Sequence, residues 1–178
     1  PNWWQPVIDE GKRIRNELGL MEFSAMAKFE VSGYGAETWL NHVMANKMPK
    51  VGRMTLSPML SLKGRVIGDF SITQLEPNRF FLLGSDAMQL AFMRHFKPLI
   101  PDEGVTVKNL SSEYGGLHIC GPNAQALISR LASEDMSTAS FPFMSAKQID
   151  IGAIKNVLVF RVSFTGETGY EMYLPMQQ

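Results

Sequence analysis

Two carboxylates, Asp69 in "GRVIGDFSI" and Glu171 in "SFTGETGYEMYLP", each sit mid-strand close behind a glycine, Gly68 and Gly169. Strand alternation puts Val66, Phe70 and Ile72 on one face and Arg65, Asp69, Ser71 and Thr73 on the other. In the second stretch Tyr170, Met172 and Leu174 share a face, and Glu171 shares the opposite one with Tyr173. Both acids are therefore expected to point away from the main core, beside glycines that let a ligand approach the backbone. An ionised carboxylate in a cleft must be hydrogen-bonded, because burying it unpaired costs several kcal/mol. A flat heterocycle with adjacent ring N–H and amino donors satisfies it, each charge-assisted bond contributing about 1.5–3 kcal/mol. Pterins and purines present that edge. The residues alone favour a plainer alternative, two solvated acids on the wet side of antiparallel sheets. Glu167, in the "TGETG" turn, is read as solvated.

Other chemistries find little support. "GYGAET" follows a strand and opens a helix, as a dinucleotide-binding loop does, but Thr38 stands where the third glycine belongs and a hairpin meander follows. It is read as a tight strand-to-helix turn. His42, His95 and His118 are scattered and read as structural, and a single Cys120 offers neither a disulfide nor a metal site. Seventeen basic residues balance seventeen acidic ones, so no global field draws the chain to nucleic acid or to an anionic membrane. No apolar run approaches the roughly 18 residues that span a bilayer, and no signal peptide is visible. The chain is read as part of a longer polypeptide in a reducing compartment.

The elements that position these residues follow from periodicity. Pro6 is placed in the first turn of a helix with Val7, Gly11, Ile14 and Leu18 on one stripe and Gly19 at its end, with Trp3 and Trp4 packed beside it. "AKFEVSG" reads as a strand, and Ala36, Trp39, Leu40, Val43 and Met44 form the core stripe of the next helix. Residues 54–84 read as an antiparallel meander turned by "LKG" and "EPN". A helix opened by Ser85 or Asp86 turns Met88, Ala91, Phe92, His95 and Phe96 inward. "VTVKNLSSE" and "GGLHIC" are strands, Pro122 begins a helix with Ala124, Leu127, Ile128 and Leu131 on one face, and strands follow near 146–151, 156–165 and 169–174. "VSGYGAETWL" and "ICGPNAQALI" echo each other. This predicts an internal pseudo-repeat and an α+β fold of mainly antiparallel sheets with flanking helices. The repeat suggests that Asp69 and Glu171 face one cleft.

"MLSLKGRVIGDFSI" and "RVSFTGETGYEMYLP" resemble the two most distinctive stretches of the aminomethyltransferase (glycine-cleavage T-protein) folate-binding domain. "NWWQPV", "FSAMAKFEVSG", "ANKMPKVGRMTLSPML" and "SSEYGGLHICGPNAQALISRLASEDMS" are similar to the branch found in the C-terminal part of dimethylglycine and sarcosine dehydrogenases. The resemblance implies an N-terminal linker and helix over 1–22 and a folate-binding domain over 23–178, incomplete at its C-terminal end.

It also implies tetrahydrofolate as cofactor, an N-methyl amine as substrate, and FAD in an upstream flavin domain outside this chain. The expected activity is capture of an iminium or methylene unit as methylene-tetrahydrofolate. By this likeness Asp69 is catalytic, and Glu171, Phe164 and Leu56 bind the cofactor, Glu171 at the pterin's amino edge and Phe164 packed near the ring. Departures are Leu56, where several T-proteins carry tyrosine; Gly68, where many have a second acid; Phe164, which lacks a tyrosine's hydroxyl; and an arginine-bearing stretch that falls beyond Gln178. Alternatives are a folate-dependent methyltransferase or demethylase of the same fold, or a non-catalytic module that has lost folate. The implied location is bacterial cytoplasm or, alternatively, the mitochondrial matrix, with no nucleic-acid or membrane partner.

Overall fold

The structure, a computed structural model, describes residues 1–177 and divides into two units, one of Pro1–Ser24 with the chain from Tyr114 onward, the other Ala25–Glu113. Along the chain, α1 (Trp4–Asn16) and β1 (Gly19–Glu22) precede β2 (Ala27–Ser32), α2 (Ala36–Val43), β3 (Met54–Leu60), β4 (Val66–Glu76) and β5 (Arg79–Gly84). Then come α3 (Gln89–Phe96), flanked by single 3-10 turns, β6 (Thr106–Asn109), β7 (Tyr114–Cys120), α4 (Ala124–Leu131), β8 (Ser145–Ile151), β9 (Ile154–Arg161) and β10 (Gly169–Pro175). The fold is α+β.

The internal repeat is present and goes deeper than the two sequence echoes. One sheet has the order β1-β7-β10-β9-β8; the other, taken from its matching edge, runs β6-β2-β5-β4-β3. In each unit the second strand leads through a glycine at positive φ, Gly33 at 117° or Gly121 at 121°, into a helix. A Cβ there would lie 2.3 Å from the Gly104 carbonyl oxygen or 2.7 Å from that of Glu17, so only glycine fits either turn. The turns close alike, Ala36 N–H donating to Gly33 O at 2.9 Å and Ala124 N–H to Gly121 O at 3.0 Å. After each helix its cap residue bridges an edge strand, Met44 with Met59 and Ala132 with Ile151.

Within Ala25–Glu113, β2, β4 and β5 turn Phe29, Val31, Phe70, Ile72, Phe80 and Leu82 toward α2 and α3. The predicted stripe of α2 enters this core, and Phe92 and Phe96 of α3 join Phe29, Phe70 and Trp39 in an aromatic cluster with ring centroids 4.6–6.4 Å apart. Each such ring, fully buried, contributes on the order of 1.5–3 kcal/mol. Met88, expected to turn inward, is exposed instead, in the 3-10 turn before α3. In the other unit, Ile119, Val157, Val159, Tyr170 and Met172 pack with Ala124 and Ile128 of α4.

Three local expectations fail. Trp4 lies inside α1 and Trp3 caps it, both more than half exposed and set edge to face at 5.6 Å. Gly19 does not simply stop the helix; it opens β1, which pairs with β7, and its missing Cβ leaves space that Ile14 fills. Val66 is exposed while Ile67 packs on the core, because a register shift between Met59 and Leu60 interrupts the alternation at the start of β4.

Candidate functional site

In Ala25–Glu113, Asp69 follows that bulge on the exposed face of β4. It stands opposite Pro58, and Leu56 stands opposite Ser71, so Asp69 and Leu56 are diagonal neighbours on one face. Asp69 is exposed and Leu56 is 62% exposed. The space at Gly68 is not left for a ligand: a Cβ there would lie 2.4 Å from Cε1 of Phe92, so the glycine admits a core ring.

Glu171 belongs to the other unit, on the face of β10 turned away from Tyr170, Met172 and α4. It is half-buried, and Tyr173, two residues along on the same face, donates its hydroxyl to Glu171 Oε2 at 3.1 Å. Burial pushes the Glu171 carboxyl above the usual range, and the tyrosine bond only partly offsets that. Burial and the adjoining carboxylate push the Tyr173 phenol up as well. Across the ladder Glu171 faces His118 on β7 and Phe160 on β9, while Phe160 and Tyr173 meet edge to face at 5.6 Å.

Phe164 is 67% exposed and sits edge to face with Phe23, centroids 5.2 Å apart. Phe23 in turn stacks on the His118 imidazole at 5.4 Å and 28°. The solvated reading of Glu167 is overturned: Arg15 of α1 pairs with it at 2.9 Å and its side chain is only 9% exposed. Sequence reasoning missed that partner because nothing local links residues 15 and 167. The tyrosine bond to Glu171 had a signal, the shared parity of 171 and 173. The pseudo-repeat does not make the two acids equivalent: Asp69 lies on β4, whose counterpart is β9, whereas Glu171 lies on β10, the counterpart of β5.

Two matched α+β units with corresponding antiparallel strand orders give the chain an aminomethyltransferase-like fold. The crystal structure of the glycine cleavage system aminomethyltransferase T from Bartonella henselae superposes with a TM-score of 0.85 at 22% identity, over 96% of this chain and 45% of that one. A family model described as the GCVT N-terminal domain matches residues 1–178, and the chain belongs to that family. Mouse mitochondrial dimethylglycine dehydrogenase is 34% identical over 174 residues, which are 97% of this chain and 20% of the dehydrogenase. The sarcosine oxidase alpha subunit of Rhizobium meliloti (strain 1021) is 33% identical over 97% of this chain and 18% of that subunit. The chain thus spans about a fifth of the length of these relatives. Among the described residues no helix is long and apolar enough to cross a membrane.

Proposed function

We propose that this chain is the tetrahydrofolate-binding, one-carbon-accepting domain of a dimethylglycine or sarcosine dehydrogenase-type enzyme. The observation that carries the reading is Glu171: a half-buried carboxylate whose hydrogen-bond partner among the described residues is a neutral hydroxyl, in a segment resembling the folate-binding stretch of the family. Such a group gains most from a ligand that brings two N–H donors to it, and a pterin edge has them. Relatives named aminomethyltransferase and dimethylglycine dehydrogenase support the same assignment.

Tetrahydrofolate, when bound, supplies a nucleophilic nitrogen that accepts a one-carbon unit. Glu171 holds and orients the amino edge of its ring, with Tyr173 fixing the carboxylate rotamer. Phe164, exposed and mounted edge-on against Phe23, offers an apolar surface for the flat ring. Asp69, exposed on β4, serves as the acid and base at the reacting nitrogen and stabilises positive charge there, a role expected to contribute about 10²–10⁴-fold. The family resemblance also assigns Leu56, the diagonal neighbour of Asp69 on the same sheet face, to the cofactor. The N-methyl amine is oxidised elsewhere, in a flavin domain outside residues 1–178. Calorimetric titration of the full-length protein with tetrahydrofolate tests the proposal: saturable binding that Glu171→Gln weakens at least tenfold is expected, and no binding by the unmodified protein would remove it.

A further inference from the structure

His118 is fully buried on β7, and neither ring nitrogen has a hydrogen-bond partner among the described residues. Native structures pair most buried polar side chains, and each orphaned group costs about 1–3 kcal/mol. An apolar residue would fill this position at less cost, since Leu117 and Ile119 on either side already serve the core cluster of this unit. The imidazole also has room made for it. At Gly169 a Cβ would lie 2.8 Å from His118 Cε1 and 3.1 Å from Nε2, and at Gly116 a Cβ would meet the Phe23 carbonyl oxygen at 2.6 Å. These two glycines occupy the same face of β10 and β7 as the imidazole, and Phe23 covers one side of the ring.

The second repeat provides a control. Counting back from Gly121 and Gly33, the counterpart of His118 is Glu30, and Glu30 is satisfied by Arg79 Nε at 2.9 Å. His118 has no such partner. What stands directly opposite it across the ladder is Glu171, a pair whose Cβ atoms lie about 4.5–5.5 Å apart in an antiparallel sheet.

We propose that His118 is a ligand-contacting residue of the Glu171 site, a ring N–H of its imidazole donating to the carbonyl oxygen beside the N–H and amino edge that Glu171 holds. The inference rests on the folate reading above and deepens it. A carboxylate is acceptor-only, so alone it recognises donors and leaves an adjoining ring carbonyl unread. A neutral imidazole supplies the missing donor, and burial keeps His118 neutral. Of the two phenylalanines around it, Phe164 is the exposed one, edge-on to the imidazole at 6.5 Å. Its displacement admits the ligand, and its ring then covers the bound heterocycle.

The test uses the full-length protein, with tetrahydrofolate titrated calorimetrically and thermal melts recorded without ligand. His118→Phe keeps the stack on Phe23 and removes the N–H. It is expected to raise Kd about tenfold while leaving Tm unchanged or higher, and His118→Asn, which restores a donor, is expected to recover most of the affinity. If His118→Phe does not fold, the smaller His118→Leu takes its place under the same expectation. A structural histidine gives the reverse, a lower Tm with unchanged Kd, and that result overturns the proposal. If Glu171→Gln weakens binding but neither apolar variant at 118 does, this inference fails and the folate reading stands. If the unmodified protein binds no tetrahydrofolate, both fail.

Discussion

The Tyr173 hydroxyl donates to Glu171 Oε2 at 3.1 Å from two residues further along the same strand. This bond leaves Glu171 with a carboxyl still raised above its ordinary 4.5, because burial outweighs it. The unfolded chain therefore ionises Glu171 more readily than the folded one, and its contribution to stability is full below pH 4.5. That contribution declines as pH rises through the folded value. Glu171→Gln removes the ionisation and is expected to raise Tm at pH 7 while weakening folate, an opposition of stability and binding typical of sites that hold a strained charge. A variant less stable than the parent at pH 7 would show that Glu171 is already satisfied in the free protein.

His118 gives a pH dependence of opposite sign. Burial lowers its pKa from the ordinary 6.5, so the unfolded chain takes up the proton first. Stability from this group is fully present above pH 6.5 and is lost as pH falls from there toward the folded value. The loss of stability between pH 7 and pH 5.5, read from denaturant titrations, should be smaller in His118→Phe than in the parent or turn into a gain. Running the same pair on Glu171→Gln separates the two windows, which overlap and partly cancel in the unmodified protein.

Local sequence carried most of this architecture: in β4 Phe70 and Ile72 are buried while Asp69 and Ser71 between them are not, and β5 and β9 read as strands from the apolar runs 80–83 and 157–160, which are buried on both faces. The echo around Gly33 and Gly121 was legible as a strand, a glycine and then an amphipathic stripe running to Met44 or Leu131, and both glycines prove to hold a positive φ. What was not legible is long-range. Gly68 and Gly169 have the mid-strand setting of ligand-approach glycines, yet aromatic rings from distant segments, Phe92 and His118, occupy the space they leave. The bulge that exposes Val66 depends on pairing with β3, and the Arg15–Glu167 bridge joins opposite ends of the sequence. For the candidate site, Glu171 with Tyr173 followed from parity, whereas His118 resembled any other buried histidine until both its nitrogens proved unpartnered.

Asp69 is exposed, so Asp69→Asn should change stability by no more than about 0.5 kcal/mol. In the full-length enzyme supplied with amine and tetrahydrofolate, the same variant is expected to leave amine oxidation unchanged. Product should shift from methylene-tetrahydrofolate to free formaldehyde. Amine consumption and formaldehyde release, measured together, check this; an unchanged ratio would take Asp69 out of the one-carbon step.

Gly68 offers a contrasting substitution next door. A methyl group there would lie 2.4 Å from Cε1 and 2.6 Å from Cζ of Phe92, whose ring packs on Phe70 at a centroid distance of 4.6 Å. Gly68→Ala should therefore destabilise by about 1–3 kcal/mol through overpacking. Folate affinity, measured well below the lowered Tm, should stay close to that of the parent. A loss of affinity without loss of stability would instead return Gly68 to the ligand.

Asp135 should titrate far from an ordinary aspartate although it is exposed. Its carboxylate accepts from the Ser140 hydroxyl at 2.6 Å and from both the amide and hydroxyl of Ser137 at 2.8 Å, with the Lys147 charge adding a smaller pull. These donors hold its pKa down at about 2, against an ordinary 3.8. The folded value is the lower one, so the contribution is present above pH 3.8 and disappears as pH falls toward 2. The turn they close carries a core residue, because Phe141, fully buried, donates its N–H to Ser137 O at 2.8 Å. Asp135→Asn should lower Tm at pH 7 and flatten the acid limb of the stability profile between pH 4 and 2. Carboxyl-carbon NMR on protein labelled at aspartate should find the parent midpoint near 2, and an ordinary midpoint there would mean that the serine cradle does not persist in solution.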